Sequence, residues 1–460
     1  MNSVETDLSS FRNFFFIGIG GAGMSAIALV LKGMGFNVSG SDIKESRYVN
    51  ILRKSGIEVL IGHNEKNIKG HDVIIYSAAI SIENVEIKAA LKENIPALSR
   101  SDALAWILNK DLGIAVAGTH GKTTTTSMIS LILSQMGMDP TIIIGGELNE
   151  LGTNANFGNG RFVVAEACES DGSFLKYKPF ISIVTNIEED HMDYYGNYEN
   201  LRKSFIKFMN NTKESGCLIL NGDEIILDGF SGLNPSKIFM FGLSNKNDLY
   251  AEDIVLKDFK SSYMAVFKNS NLRFKVKLNV PGIHNIKNSL AALSVAFIIN
   301  LDIKSSIDVL ERYTGVKRRF EKRGISQGAE IIDDYAHHPT EIKATLEAAT
   351  KFNKRIITVF QPHRYSRIKA LYKKFEDCFK DTDILILTDI YSAGEQPIAG
   401  INSKMLTDFL LENGFLKKIA YIPKLTDVKS YLDNIIKKDD LVLIMGAGDV
   451  TRISDELIKS

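Results

Sequence analysis

The sequence predicts an α/β protein built as three successive domains. Three observations predict it. The chain has 460 residues, more than one hydrophobic core ordinarily organises, and a length that suits about three domains. Short apolar runs alternate with helix-period stretches almost from end to end, the rhythm of parallel sheets covered by helices. That rhythm pauses twice, at NKDLG (109 to 113) and at the polar, turn-like TGVKRRFEKRG (314 to 324). The expected domains are therefore 1–109, 110–315 and 316–460.

In the first domain FFFIGIG and FNVSGSD read as strands, MSAIALVLKGMG as a helix and DVIIYSAAI as a further strand. The second restarts with IAVAGTHGKT and continues through the strands TIIIGG, RFVVAEA, ISIVTNI and GCLILN to a buried helix in IKNSLAALSVAFII. The third carries EIIDDYA, IITVFQP, DILILTDI and LVLIMGAGD as strands. In DDYAHHPTEIKATLEAAT, Pro339 stands where a helix begins, with Ile342, Leu346 and Ala349 on its buried face.

Bulk properties exclude several classes. Lys plus Arg equals Asp plus Glu at 55 each, so nothing in the overall charge suggests a nucleic-acid partner. The three cysteines, Cys168, Cys217 and Cys378, are odd in number and far apart, neither a disulfide framework nor a zinc pattern. FFFIGIGGAG is too short and glycine-interrupted to be a membrane span or a secretory signal. A cytoplasmic protein with no membrane partner is the expectation.

Four stretches carry chemistry. GIGGAG (18 to 23) follows a strand and opens a helix, with Asp42 after the next strand. This is the fingerprint that seats a pyrophosphate on a helix N-terminus and offers a carboxylate to a ribose hydroxyl. NAD, FAD or a nucleotide-sugar diphosphate would each satisfy it. AVAGTHGKTTTT (115 to 126) is a second glycine turn. Its backbone amides would form an anion nest, Lys122 would reach the β- and γ-phosphates, and the Thr123 hydroxyl would ligate Mg²⁺. Val116 stands where a strict phosphate loop has its first glycine, which is found instead at Gly118. Acids then cluster at two strand ends, Glu166, Glu169 and Asp171, followed by Glu188, Glu189, Asp190 and Asp193 with His191. Hard oxygen ligands at strand termini suit the Mg²⁺ of a bound triphosphate. Arg364 and Arg367, three apart at a helix entrance, could grip a carboxylate bidentately.

Together with SGSD, YSAAI, VVAEACESDGSFL, VTNIEEDHMDYY, VPGIHNIKNSLAAL, RRFEKRG, DDYAHHPTE, FQPHRYSR and AGEQPIAGI, these stretches resemble the Mur ligase family in order along nearly the whole chain. The family's loop reads GTxGK(T/S), which accounts for Gly118. The resemblance implies a Rossmann-like N-terminal domain, a central P-loop ATPase-type domain and a Rossmann-like C-terminal domain. It implies an ATP-dependent ligase of peptidoglycan precursor synthesis that joins L-alanine to the carboxylate of UDP-N-acetylmuramate. Gly20, Gly21, Gly23, Met24, Ser25, Asp42, Ser77 and Ala78 would then line a UDP-sugar cleft, with no nicotinamide. Gly118, Thr119, His120, Gly121, Lys122, Thr123, Thr124, Asn285, Arg319 and Asp334 would serve ATP. Thr123, Glu166 and His191 would hold the metal. Tyr335, His337, Arg364 and Arg367 would receive the amino acid. The family's acidic motif reads E-A-D-E-S-D, and Cys168 replaces its central aspartate. Monomer and homodimer are both compatible with the sequence.

A carboxylate acylates poorly until it is phosphorylated. The implied reaction is therefore acyl-phosphate formation followed by attack of the alanine amine, with Lys122, Glu166, His191 and His337 as catalytic candidates. His337 or His191, near the natural histidine pKa, would be the base. A ligase recycling a preformed tripeptide onto the same sugar nucleotide is the nearest alternative. An NAD-dependent oxidoreductase leaves the Lys122 loop unexplained, and a P-loop motor leaves the Arg and His groups of the third domain unexplained.

Overall fold

The computed structural model describes residues 7–149, 153–225, 233, 237–257, 259–270, 272–415 and 417–459; the first six residues of the expected first domain lie outside them. The chain forms three sheets and divides into two compact units. One comprises Met1–Ile187, Arg202–Tyr250 and Ser289–Leu310, and the other Glu188–Leu201, Ala251–Asn288 and Glu311–Ser460.

The first unit holds two of the sheets' centres. Strands β1 (Asn13–Ile17), β2 (Asn37–Asp42), β3 (Glu58–Ile61), β4 (Val73–Tyr76) and β5 (Ala97–Ser99) order themselves β3-β2-β1-β4-β5, with parallel pairing throughout. Phe14, Phe15, Phe16 and Ile17 are fully buried, because a parallel strand is covered by helices on both faces and reads as a continuous apolar run. The chain order reverses beside β1, and the glycine turn sits at its carboxyl end, the place where open α/β sheets take ligands.

The second sheet of this unit contains β6 (Leu112–Ala117), β7 (Thr141–Leu148), β8 (Thr153–Asn156), β9 (Phe162–Glu166), β10 (Ile181–Val184), β11 (Cys217–Asn221) and β12 (Ile238–Gly242). Their order is β8-β7-β9-β6-β10-β11-β12. β6, which feeds the Lys122 loop, is flanked by β9 and β10. Gly33, at the end of the helix Ala22–Gly33, leaves room for Phe157: a Cβ there would lie 2.4 Å from the Phe157 Cβ.

β13 (Leu249–Lys257) begins in the first unit, pairing Leu249 and Tyr250 with Phe241 and Gly242. It continues in the second unit, which also contains the antiparallel pair β14 (Lys260–Phe267) and β15 (Leu272–Leu278). The third sheet consists of β16 (Glu321–Ser326), β17 (Ala329–Asp334), β18 (Ile356–Phe360), β19 (Ile384–Leu387), β20 (Lys418–Tyr421) and β21 (Leu441–Met445), ordered β16-β17-β21-β18-β19-β20. All its pairings are parallel except β16 with β17. The helix Pro339–Thr350 starts on its proline and buries Ile342, Leu346 and Ala349 completely. Of the paired histidines before it, His338 is the N-cap, accepting from the Thr340 amide in a capping box with Glu341.

Candidate active site

At the first sheet, Gly18 turns the chain with φ +77° and Gly21 precedes the helix that begins at Ala22. Asp42 reaches back from the end of β2, where Oδ2 accepts the Gly20 amide at 2.8 Å. A Cβ on Gly20 would lie 2.8 Å from that same oxygen. One carboxylate oxygen thus shapes the phosphate turn itself, a task the ribose reading does not assign it. Ser25 is buried with its hydroxyl on the Ala22 carbonyl. The Ser77 amide donates to the Ile17 carbonyl at 3.2 Å, which places Ser77 and Ala78 at the neighbouring strand end. Arg100 crosses the helix start so closely that a Cβ on Gly23 would lie 2.8 Å from its Nη1. The third glycine of the fingerprint makes room for a guanidinium.

At the second sheet, β6 runs straight into the loop. Gly118 has φ +134° and Gly121 φ +81°, conformations that favour glycine. The loop is pinned from the end of β10: the Thr119 amide donates to the Asn186 carbonyl and the His120 amide to Asn186 Oδ1 at 2.8 Å, while the Thr185 hydroxyl donates to the His120 carbonyl at 2.6 Å. Lys122 opens the helix Lys122–Gln135. Its ammonium folds back, donating to the Gly118 carbonyl, to the Thr119 carbonyl at 3.1 Å and to Glu169 at 3.0 Å. Thr123 is 8% exposed, and Thr124 follows on the first helical turn. Glu166 ends β9 and accepts the Gly145 amide at 2.7 Å. Cys168 lies beside these groups, its thiol pushed up by burial and 3.1 Å from the Ser170 hydroxyl. A hydroxyl and a carboxylate, both oxygen donors, fit a hard divalent cation such as Mg²⁺.

The second unit gathers the remaining candidates. Asn285, at the start of the helix Ile283–Ile298, donates to the Pro281 carbonyl at 2.7 Å. Arg318 and Arg319 both lie over the Tyr335 ring, at 5.0 and 5.1 Å. Asp334 accepts from the Ala336 and Phe320 amides and the Thr345 hydroxyl, and burial pushes its carboxyl up to about 6. His337 Nδ1 meets the Tyr335 carbonyl at 2.9 Å. Burial drives this histidine down to about 3, so His337 is neutral. Its expected role is that of a base near the natural histidine pKa, and burial lowers the basicity such a group would bring to it. His191 takes φ +56° at the start of the short helix Met192–Tyr195.

Arg364 and Arg367 differ sharply. Arg364 leads the helix Tyr365–Leu371 with φ +65° and ψ 133°, a strained conformation for a residue with a side chain. Its nearest carboxylate is Glu395 at 3.9 Å. Arg367 is engaged with Asp190 through Nε and Nη2 at 3.2–3.3 Å, and Nη1 donates to His363 Nδ1 at 2.9 Å. The two forks expected to grip a carboxylate are therefore unequal in this structure: Arg367 meets the carboxylate of Asp190 within the chain. Both arginines line a cleft with Glu189, Asp190, His191 and Ser366.

Family models match the chain in three segments: the Mur ligase family, catalytic domain, over residues 13–111, the Mur ligase middle domain over 116–296, and the Mur ligase, glutamate ligase domain, over 318–448. The chain belongs to the Mur ligase family. Among its relatives, the UDP-N-acetylmuramate–L-alanine ligase of Acetivibrio thermocellus is 43% identical over 456 residues, covering 98% of this chain and 97% of that one. The ligase of the same name from Desulforamulus reducens is 45% identical, covering 97% of each. The crystal structure of UDP-N-acetylmuramate-alanine ligase from Thermotoga maritima superposes with a TM-score of 0.81 at 30% identity, covering 97% of this chain and 98% of that one.

Within this Mur ligase, sequence reasoning missed three groups. Asn186 and Thr185 fasten the Lys122 loop; their signal is the Thr-Asn pair directly after an apolar strand. Arg100 leans on the first glycine turn, and LSRSD, an arginine at a helix start, carries little to distinguish it. Asp190 was visible only as one member of an acidic cluster.

Proposed function

We propose that this chain joins L-alanine to the carboxylate of UDP-N-acetylmuramate, with ATP as phosphoryl donor and an acyl phosphate between the two steps. The observation that carries the reading is identity of 42–45% over nearly the full length to ligases of that name. The same likeness disfavours the tripeptide-recycling alternative, and the Lys122 loop disfavours an NAD-dependent oxidoreductase.

The residues described suit that chemistry. Phosphorylation brings a carboxylate against a polyanion. The Lys122 ammonium and the first backbone amides of the helix it opens offset that repulsion, and fixed donors of this kind stabilise developing charge without reorganising. Magnesium, when bound, supplies further neutralisation of the phosphates; Thr123, Glu166 and His191 are the groups we assign to it. The glycine turn after β1, with Asp42, Ser77, Ala78 and Arg100, serves the UDP-sugar. Asn285, Arg319 and Asp334 serve ATP. Arg364 is the open guanidinium for the alanine carboxylate, and holding the amine in line with its target contributes roughly 7–11 kcal/mol in well-oriented systems. His337, with Nδ1–H donating to the Tyr335 carbonyl, has Nε2 as an acceptor: it can orient an amine but carries no second proton at neutral pH. We assign the UDP-sugar, ATP and amino-acid functions to 1–109, 110–315 and 316–460 respectively.

The test is phosphate release with ATP, Mg²⁺, UDP-N-acetylmuramate and L-alanine, omitting each in turn, with the tripeptide offered in parallel. Release should require every component. Release with the tripeptide but not with alanine would transfer the chain to the alternative, and release without any sugar nucleotide would end both readings.

A further inference from the structure

The loop after β10 carries three consecutive acids, and each is tied to a different residue of the second unit. Glu188 accepts from the Thr340 hydroxyl at 2.5 Å, Glu189 from Lys374 at 2.6 Å, and Asp190 from Arg367. The first two links are to exposed side chains. The third is not: the side chains of Arg367 and Asp190 are 6% and 11% exposed. The Arg367 fork has its Nε–Nη2 edge on Asp190 and its other amino group on His363. His363 in turn stacks on Tyr391 with rings 5.8 Å apart and meets His337 edge-on at 5.4 Å. Tyr391 closes the arrangement, since its carbonyl accepts the Arg364 amide at 2.9 Å. Arg364, in its strained conformation, is thereby tied through its backbone to the residue whose ring His363 stacks upon.

We infer that Asp190 is a positioning residue of the amino-acid cleft. It fixes Arg367, and through His363 and Tyr391 it fixes the placement of Arg364 and His337. The inference rests on the proposed ligase reading and assigns Asp190 a role that neither metal binding nor ATP binding requires. The chemistry favours it over a chance ion pair. A guanidinium this buried has one rigid planar fork, and a carboxylate gripping one edge sets the plane of the whole group. Were Arg367 released, its fork would be free to compete with Arg364 for the incoming carboxylate in a second, unproductive pose. Small displacements of a positioning group cost rate and affinity out of proportion to their size.

Steady-state kinetics on the full-length protein test this. Asp190→Asn should raise the KM for L-alanine by about tenfold to a hundredfold, leaving the KM values for ATP and UDP-N-acetylmuramate close to wild type. Asp190→Glu, which keeps the charge, should recover part of the loss. Arg367→Lys keeps a cation but loses the fork, and should reproduce the alanine defect. Asp190→Asn combined with Arg367→Lys should be little worse than either alone, because both break the same link. A fall in kcat with all three KM values unmoved would overturn the inference, as would a lowered KM for alanine, which would make Asp190 a competitor of the substrate. If Asp190→Asn melts below the assay temperature, Asp190→Glu and Arg367→Lys carry the test, and unchanged alanine KM in both overturns it. Wild-type protein that releases no phosphate with alanine would refute the ligase reading itself, a result distinct from active wild type with indifferent variants.

Discussion

Lys122 illustrates how one side chain can serve binding and stability together. Its partner Glu169 is 2% exposed, and a buried carboxylate stripped of its cation costs about 3–5 kcal/mol. Lys122→Ala should therefore lower both turnover and melting temperature. Adding Glu169→Gln to that variant removes the stranded charge. The double variant should regain most of the melting temperature while phosphate release stays near background; recovered release would show that the lysine acts only as a structural counter-ion. Reading the sequence assigns Lys122 to the phosphates, but residue chemistry alone does not show the fold-back onto Gly118, Thr119 and Glu169. Nor does spacing show that Arg364 and Arg367 part company. Three residues of separation predicts a shared face, and the partner that divides them, Asp190, comes from a loop 174 to 177 positions away in the chain.

Strands with both faces buried are the most legible elements. FFFI, IAVA, IITVF and LVLIM are continuous apolar runs, and each is a parallel strand at the expected place. Strands interrupted by charge are harder. β15, antiparallel to β14, reads LRFKVKL, with Arg273, Lys275 and Lys277 at alternate positions because one face meets water. β13, although parallel to β12, reads LYAEDIVLK, its run interrupted by Glu252, Asp253 and Lys257. Those lysines break the apolar run, and these strands escape a reading tuned to α/β rhythm. The phosphate loop was legible for a different reason: its glycines are demanded by backbone geometry. A Cβ on Gly118 would lie 2.1 Å from the Thr185 hydroxyl oxygen, on top of a φ that side chains rarely adopt. Gly118→Ala should thus disrupt the loop that Thr185 and Asn186 pin. The expected outcome is loss of ATP or ADP binding by calorimetry, with UDP-N-acetylmuramate binding retained. Parallel loss of both ligands would place the damage in the whole unit and not in the loop.

The two compact units do not follow the order of the chain. Residues 188–201 and 251–288 belong with the C-terminal part, whereas the pauses in the sequence divide it into three consecutive stretches. Pauses report linkers; membership of a unit depends on contacts between distant segments, which no local pattern contains. One bulk property that depends on those contacts is stability against pH. In the second unit burial holds His284 at about 4 and His337 at about 3, and pushes His363 down as well. An unfolded histidine protonates near 6.5. Between pH 6.5 and 4 the unfolded chain therefore binds protons that the folded chain refuses, and stability falls as pH falls, by about 1.4 kcal/mol per unit for each such group. Asp334 works in the other direction. Raised to about 6, it keeps its proton in the folded state from pH 6 down to about 4, where an unfolded aspartate has lost it, and so offsets one histidine over that window. Two or three histidines against one aspartate leave a net loss. Melting temperature should drop between pH 7 and pH 5, and the slope should flatten when His284 and His337 are both changed to glutamine, measured against wild type at each pH to remove the direct effect of the substitutions. A melting temperature that is level or rises over that interval would show that these rings are wetter, and more readily charged, than their burial indicates.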